Sequence, residues 1–285
     1  MAWWSSLISA LPFAWAQYGF FQEGLLGIIF IASILAVLGT LVVNHQLSFF
    51  SEAVGHAGLA SMALVVLIGR WPLGVMISFA ILLAILIAWL KRQRFLPSDS
   101  VVGLSLSFTV ALGVLLLSRG GSFSKYSAYL TGDIFNITGS DILVMAVLSV
   151  LLLFGLRFYQ RMLLVAFHQE MAASRGLKVF LWETSLMAVV AVAVTVAVPW
   201  MGILAVNALL IFPAAIARVL AKNLRAYLIL AWLIGLSTGI LGLIISYYLD
   251  AAAGASIACF QAAVLFLALL FKAIYLHWRR PLRTL

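Results

Sequence analysis

Apolar runs of about twenty residues follow one another along this chain with only short polar connections, and that succession constrains the fold more than any motif does. Wound as a helix, a run of that length matches the hydrocarbon thickness of a bilayer. A helix also satisfies its own backbone hydrogen bonds where water is absent. Nine such spans can be drawn, at about 20–43, 53–69, 72–90, 101–118, 140–157, 179–198, 201–218, 226–249 and 255–276. The second is short and rich in glycine and alanine. The sixth and seventh are parted only by Pro199 and Trp200, so they form a tight hairpin or one broken element. The period-2 alternation of an outer-membrane barrel is absent. The expected fold is all-α, a polytopic membrane protein of about nine transmembrane helices.

Composition closes off the soluble alternatives. Of 285 residues, 66% are hydrophobic and 9% charged, against about 45–50% and about 25% in a soluble domain. A net charge of +9 suggests nucleic acid at first sight. The basic residues, however, form no single patch with interleaved aromatics. They sit in short clusters between apolar runs, where they orient a chain in lipid. The single cysteine, Cys259, excludes an intrachain disulfide and a cysteine metal cage, and its apolar surroundings lead us to expect a buried small hydrophobe.

Orientation follows from those clusters. With nine spans, Lys91, Arg92, Arg94, Arg157, Arg161, Arg175, Lys178, Arg218, Lys222, Arg225, Lys272, Arg279, Arg280 and Arg283 fall on one side, fourteen in all; Arg70, Arg119 and Lys125 fall on the other. The bias places the C-terminus in the cytoplasm and the N-terminus outside, in an inner (plasma) membrane. An eight-span chain would have to move the N-terminus inside or break the bias. Residues 1–19 carry Trp3, Trp4, Phe13 and Trp15 but no basic residue, so they are expected to lie at the outer interface rather than act as a secretory signal. Residues 20–278 then form one transmembrane domain, and 279–285 a basic cytoplasmic tail. No long hydrophilic segment and no Walker-type phosphate loop is present, so the chain is expected to be no enzyme, with no ATPase domain of its own. Any uphill transport must be energised by another chain or by an ion gradient.

Ionisable groups at membrane depth are costly and mark function by default. Glu52 and His56 stand out, in the stretch Ser48-Phe-Phe-Ser-Glu-Ala-Val-Gly-His-Ala-Gly-Leu-Ala60. Their i, i+4 spacing puts carboxylate and imidazole on one helix face. That donor pair suits a borderline divalent cation such as zinc, manganese or iron. The small residues around them leave a narrow path. Spacing alone leaves open whether the pair is a metal site or a self-satisfied pair in a bundle core. Asp133 and Asp250 fall at outer connections and read either as cap or loop carboxylates or as an outer gate or docking contact. Pro213 removes a backbone donor and crowds the carbonyl of Leu209, which predicts a kink in the span that also holds Asn207. Gly235 and Gly239 form a GxxxG pair, read as close helix packing. Residues 158–178 form the longest basic connection, expected to be a short surface helix ended by Gly176 that offers a docking knob to a cytoplasmic partner.

Five blocks, in order and spread over about 24–276, resemble the ABC-3 family of metal permeases. Ser48–Leu59 resembles its "SFxGDAxSHAxL" stretch, and Leu130-Thr-Gly-Asp-Ile134 its "xxGDIL". Phe167–Leu177 resembles "FDPExAxxxGL", Met201–Arg218 resembles "VGxLLVxALLxxPAAxAR", and Gly242–Ala255 resembles "GLxLSYxxDxPxGA". The resemblance implies the membrane subunit of an importer of Zn²⁺ or Mn²⁺, or of Fe²⁺, with no permanently bound cofactor. Two copies would pair with two cytoplasmic ATP-binding subunits, and an extracytoplasmic metal-binding protein would deliver the ion. It also implies that Glu52 and His56 line the ion path, and that the loop holding Phe167, Glu170, Ala172, Arg175 and Gly176 contacts the ATPase. Departures touch the metal: Glu52 stands where the family usually has Asp, and His168-Gln169 replaces Asp-Pro. A gradient-driven transporter of a metal ion or chelate is the alternative. A membrane enzyme would need a cluster of reactive groups beyond one Glu–His pair.

Overall fold

The computed structural model describes Trp4, Ile8, Ser9, residues 12–68, 72–93 and 95–120, Gly132, Ile134, Ile137 and residues 139–278. Among these residues the regular structure is helical and no strand occurs. Ten α-helices follow in chain order: α1 (Gly19–Asn44), α2 (Ser48–Ile68), α3 (Pro72–Arg92), α4 (Ser98–Gly120), α5 (Gly139–Gly155), α6 (Tyr159–Phe167), α7 (Gln169–Ser174), α8 (Val179–Leu220), α9 (Leu224–Leu249) and α10 (Ala253–Trp278). Short 3-10 turns occur at Ala14–Gln17 and Leu156–Phe158. Six helices, α1, α3, α4, α8, α9 and α10, are long and apolar enough to cross a membrane. α2 has crossing length as well, at 21 residues.

α8 organises the bundle. Its 42 residues would reach about 63 Å if straight, twice a bilayer core. The backbone leaves helical angles within it only at Gly202 (φ 77, ψ 160), a region open essentially to glycine alone. The two ends of α8 then lie at the same end of the molecule. Near its start, Glu183 accepts a hydrogen bond from Lys91 at the end of α3 and acts on His45. Near its end, Arg218 lies with Asn44 and Tyr159 around the Tyr227 hydroxyl. The expected hairpin is therefore real, but the reversal falls at Gly202 rather than at Pro199 and Trp200, because proline's fixed φ is already helical. Pro213, expected to kink the span, lies in a stretch with helical angles.

α1 fills the groove beside the second half of α8. At Gly39 a β-carbon would collide with the Leu210 carbonyl, so only glycine permits that approach. Gly235 and Gly239 of α9 press against Ala36 and Ile28 of α1, as the GxxxG spacing predicts. α2 packs along α4, and Gly113 meets Leu59 and Ala60. α2 begins at Ser48, earlier than the span drawn from 53, because Ser48, Ser51 and Glu52 form its first turns instead of a polar lead-in. Trp15 and Ala16 are buried at the start of α1, where Gln22 donates to the Ala16 carbonyl at 2.7 Å. Cys259 is exposed on α10, contrary to expectation: an apolar run on a peripheral membrane helix faces outward as readily as inward.

Candidate functional site

α2 emerges from a tight turn, His45–Leu47, closed by the Leu47 N–H donating to the Val42 carbonyl at 2.9 Å. The helix is then sealed on most sides: Phe50, Ser51, Ala53, Val54, Ala57, Leu59 and Ala60 are all buried. Over residues 48–60, Ser48, Phe49, Glu52 and His56 form the strip that is not, since Phe49 is exposed and the other three are half-buried. One helical turn, about 6 Å, separates Glu52 from His56, and the carboxylate acts electrostatically on the imidazole. The Nδ1 atom of His56 is buried and makes no hydrogen bond. A desolvated ring nitrogen without a partner costs roughly 1–3 kcal/mol, so it is not a feature that stability alone retains.

A second such atom lies on the facing helix. Ile203 of α8 packs against Gly55, with its Cγ2 3.1 Å from where a β-carbon would stand. The second half of α8 runs opposite to α2, since it ends at the end where α2 begins. One turn from Ile203 toward that end comes Asn207, level with the turn of α2 that carries Glu52. The Oδ1 of Asn207 is buried and unpaired. The sequence marked Asn207 only as a companion of Pro213; a polar amide inside an apolar run was the available signal for more. Among the described residues no cluster of three or more His, Cys, Asp or Glu could hold a metal ion. A cation reaching this strip would therefore draw further donors from Asn207, from water or from a second copy of the chain.

The other expected site residues lie elsewhere. Asp133 falls outside the described residues. Its neighbour Gly132 (φ 74) is pinned against the backbone of Trp200 to Gly202, at the reversal of α8. Asp250 is exposed at the end of α9 in the left-handed conformation (φ 49), a position Asp tolerates as a helix terminus. The basic loop folds as α6 and α7. Gly176 (φ 77) ends α7 in a Schellman motif, with Gly176 N–H donating to Ala173 O and Leu177 N–H to Ala172 O. Ala172 is fully buried beneath it, while Phe167, Glu170 and Arg175 are exposed. α6 is tied to the core twice: Tyr159 bonds Thr40 at 2.9 Å, and His45 Nε2 lies 3.0 Å from the Met162 carbonyl. Since a carbonyl only accepts, that nitrogen carries the proton. Burial holds the His45 pKa below 6.5 and neighbouring Lys91 pushes the same way; the Met162 bond and Glu183 oppose them in part.

Residues 17–272 match the ABC 3 transport family. The chain belongs to that family. Among its relatives is the manganese import system permease protein ScaB of Streptococcus gordonii, 30% identical over 259 residues, covering 90% of this chain and 92% of the relative. The manganese transport system membrane protein MntC of Listeria innocua is 28% identical and covers 90% and 91%. The solved structure of PsaBC from Streptococcus pneumoniae in complex with Fab superposes with a TM-score of 0.78 at 26% identity, covering 88% of this chain and 91% of that one. In this member of the ABC 3 transport family, then, Glu52, His56 and Asn207 lie on α2 and α8, within the matched region.

Proposed function

We propose that this chain is the membrane-spanning permease subunit of an ATP-driven importer of a divalent transition-metal ion, manganese before zinc or iron. The single observation that carries the reading is the uncovered strip on α2, where a carboxylate and an imidazole with an unpaired buried nitrogen stand one turn apart. Family membership and the manganese permeases among the relatives support it. The oxygen of Asn207 beside the pair adds a hard donor, which suits manganese better than zinc. The chain crosses the membrane nine times, with the N-terminus outside and the C-terminus in the cytoplasm. Two copies face each other across the α2 strip. A separate ATPase binds α6 and α7 through Phe167, Glu170 and Arg175, with Ala172 and Gly176 shaping the knob. An outer metal-binding protein docks near Asp133 and Asp250.

Uptake of manganese and of zinc into cells or vesicles tests this, with metal content of the purified complex as a second readout. Glu52→Ala and His56→Ala are expected to abolish uptake while the permease still inserts and still co-purifies with its ATPase. Wild-type uptake by both variants removes the site assignment. Uptake that persists in vesicles without ATP replaces the pump with a gradient-driven transporter.

A further inference from the structure

Away from the α2 strip, a cavity of about 660 Å³ opens between α1, α5, α6, α8 and α9. It extends along α1 from Ile29 to Leu41, about 18 Å. Its walls include Leu148 and Gly155 of α5, Tyr159 of α6, Val189 of α8 and Trp232 of α9. Most of the wall lies toward the end of the bundle that carries Lys91, Arg92, Arg157, Arg161, Lys178 and Arg218, with Ile29 and Phe30 of α1 and Val192 of α8 just past the middle of their spans. At about 18 Å the slot is a little longer than one leaflet's hydrocarbon layer is deep, roughly 15 Å, and it runs from the middle of the bundle to the basic end.

What fills the slot is decided by its three hydroxyls and the indole of Trp232, because its remaining wall side chains are apolar. Ser33 donates to Ile29 O at 2.6 Å, and Ser149 to Met145 O at 2.7 Å. Tyr159 is bonded to Thr40. Each hydroxyl hydrogen is committed to the protein itself, so water inside would find few of the two to four partners it needs. A hydrocarbon chain needs none. At the mouth the chemistry changes sign. Arg157 stands two residues from each of Gly155 and Tyr159, both wall residues, and so within about 7.6 Å of either along the backbone. Arg161 directly precedes Met162, another wall residue. Both arginines are exposed, and among the described residues neither forms an ion pair with a carboxylate.

We propose that this slot is a binding site for an anionic phospholipid of the leaflet at the basic end, with one acyl chain between α5 and α8 and its phosphate against Arg157 and Arg161. α5 packs chiefly on α1 and makes no extensive contact with α8. The acyl chain is the packing partner that those two helices lack, and it steadies the segment that leads into α6 and α7. The site does not depend on the ion-path assignment.

The test uses the full chain in nanodiscs of phosphatidylglycerol or phosphatidylcholine, with retained lipid read by native mass spectrometry and stability by melting. The wild type is expected to carry phosphatidylglycerol out of a mixed membrane and to melt higher in it. Arg157→Gln with Arg161→Gln should weaken that preference about thirtyfold, at about 1 kcal/mol for each arginine near a lipid surface. Ala188→Phe, which fills the slot, should retain no lipid and melt alike in both membranes. Equal retention of phosphatidylcholine by the wild type, or an unchanged preference in the double arginine variant, overturns the anionic site. Disulfide trapping between Val189→Cys chains overturns it too, by showing that a second copy covers the slot. The arginine variant alters only exposed side chains, so it remains decisive if Ala188→Phe does not fold.

Discussion

At the basic end of the bundle a set of buried polar groups is paired across helices; on α2 and the second half of α8, His56 and Asn207 each hold a buried polar atom that is not. The paired layer joins Lys91 to Glu183, Thr40 to Tyr159 and His45 to the Met162 carbonyl. It ties α1, α3, α6 and α8 together beside α7. Across the bundle, His56 Nδ1 and Asn207 Oδ1 are buried with no partner. The layer is not perfect, since the Thr184 hydroxyl beside Glu183 and the Tyr227 hydroxyl near Arg218 are also buried without a hydrogen bond. The contrast still separates two uses of polarity in an apolar medium. Paired groups fix where helices sit. Unpaired groups keep a standing affinity for something that arrives and leaves.

That contrast breaks most visibly at His56. His56→Leu removes an unsatisfied nitrogen and loses no hydrogen bond, so its melting midpoint should equal or exceed that of the wild type. Manganese uptake should nevertheless fall by about two orders of magnitude or more, because a ligand is gone from a site with few others. A large loss of stability in His56→Leu would place the imidazole in the structural class and end the comparison. Asn207→Leu should show the same signature more weakly, stable or stabilised with uptake reduced about tenfold, since one neutral oxygen contributes less than the carboxylate–imidazole pair. Uptake unchanged in Asn207→Leu would confine the path to α2.

The paired layer should answer in the opposite way. Tyr159→Phe removes the bond that ties α6 to Thr40, whose hydroxyl keeps its bond to the Val37 carbonyl at 2.6 Å, and should cost about 0.5–1.5 kcal/mol in melting, while uptake per folded molecule stays near wild type. Thr40→Val should cost less in the Tyr159→Phe background than in the wild type, because the bond the two side chains share is already gone. Strictly additive costs in the double variant would mean that the pair does not act as a unit.

Much of this was legible in sequence because membrane helices announce themselves locally. α3, α9 and α10 coincide with apolar runs to within a few residues, and the E-x-x-x-H spacing of Glu52 and His56 lay in plain view. The unread parts depend on tertiary structure. The reversal of α8 hangs on one backbone angle at Gly202, and twenty-one glycines gave no reason to choose that one. Whether Asn207 is paired depends on what α2 presents across from it. Lys91 and Glu183 stand 92 residues apart and meet only because α3 packs against α8. Cys259 misled because an apolar run in lipid has two apolar sides, and hydropathy does not distinguish protein from bilayer.

The smallest expected effect is the pH response of the paired layer, which turns on His45. Its ring faces the Met162 carbonyl, Glu183 and Lys91, and burial keeps its folded pKa below the 6.5 of the free side chain. Below pH 6.5 the unfolded chain therefore binds a proton more readily than the folded one. The stability that neutral His45 contributes is present above pH 6.5 and drains away as pH falls through the lower folded value. The melting midpoint should drop modestly between pH 7 and pH 5, and His45→Gln, which retains an N–H for Met162, should flatten that part of the profile. Manganese uptake at pH 7 should be nearly unchanged in that variant, since His45 belongs to the paired set. A profile as steep in His45→Gln as in the wild type would move the acid sensitivity to another group, with His56, the unpaired imidazole, next to be replaced.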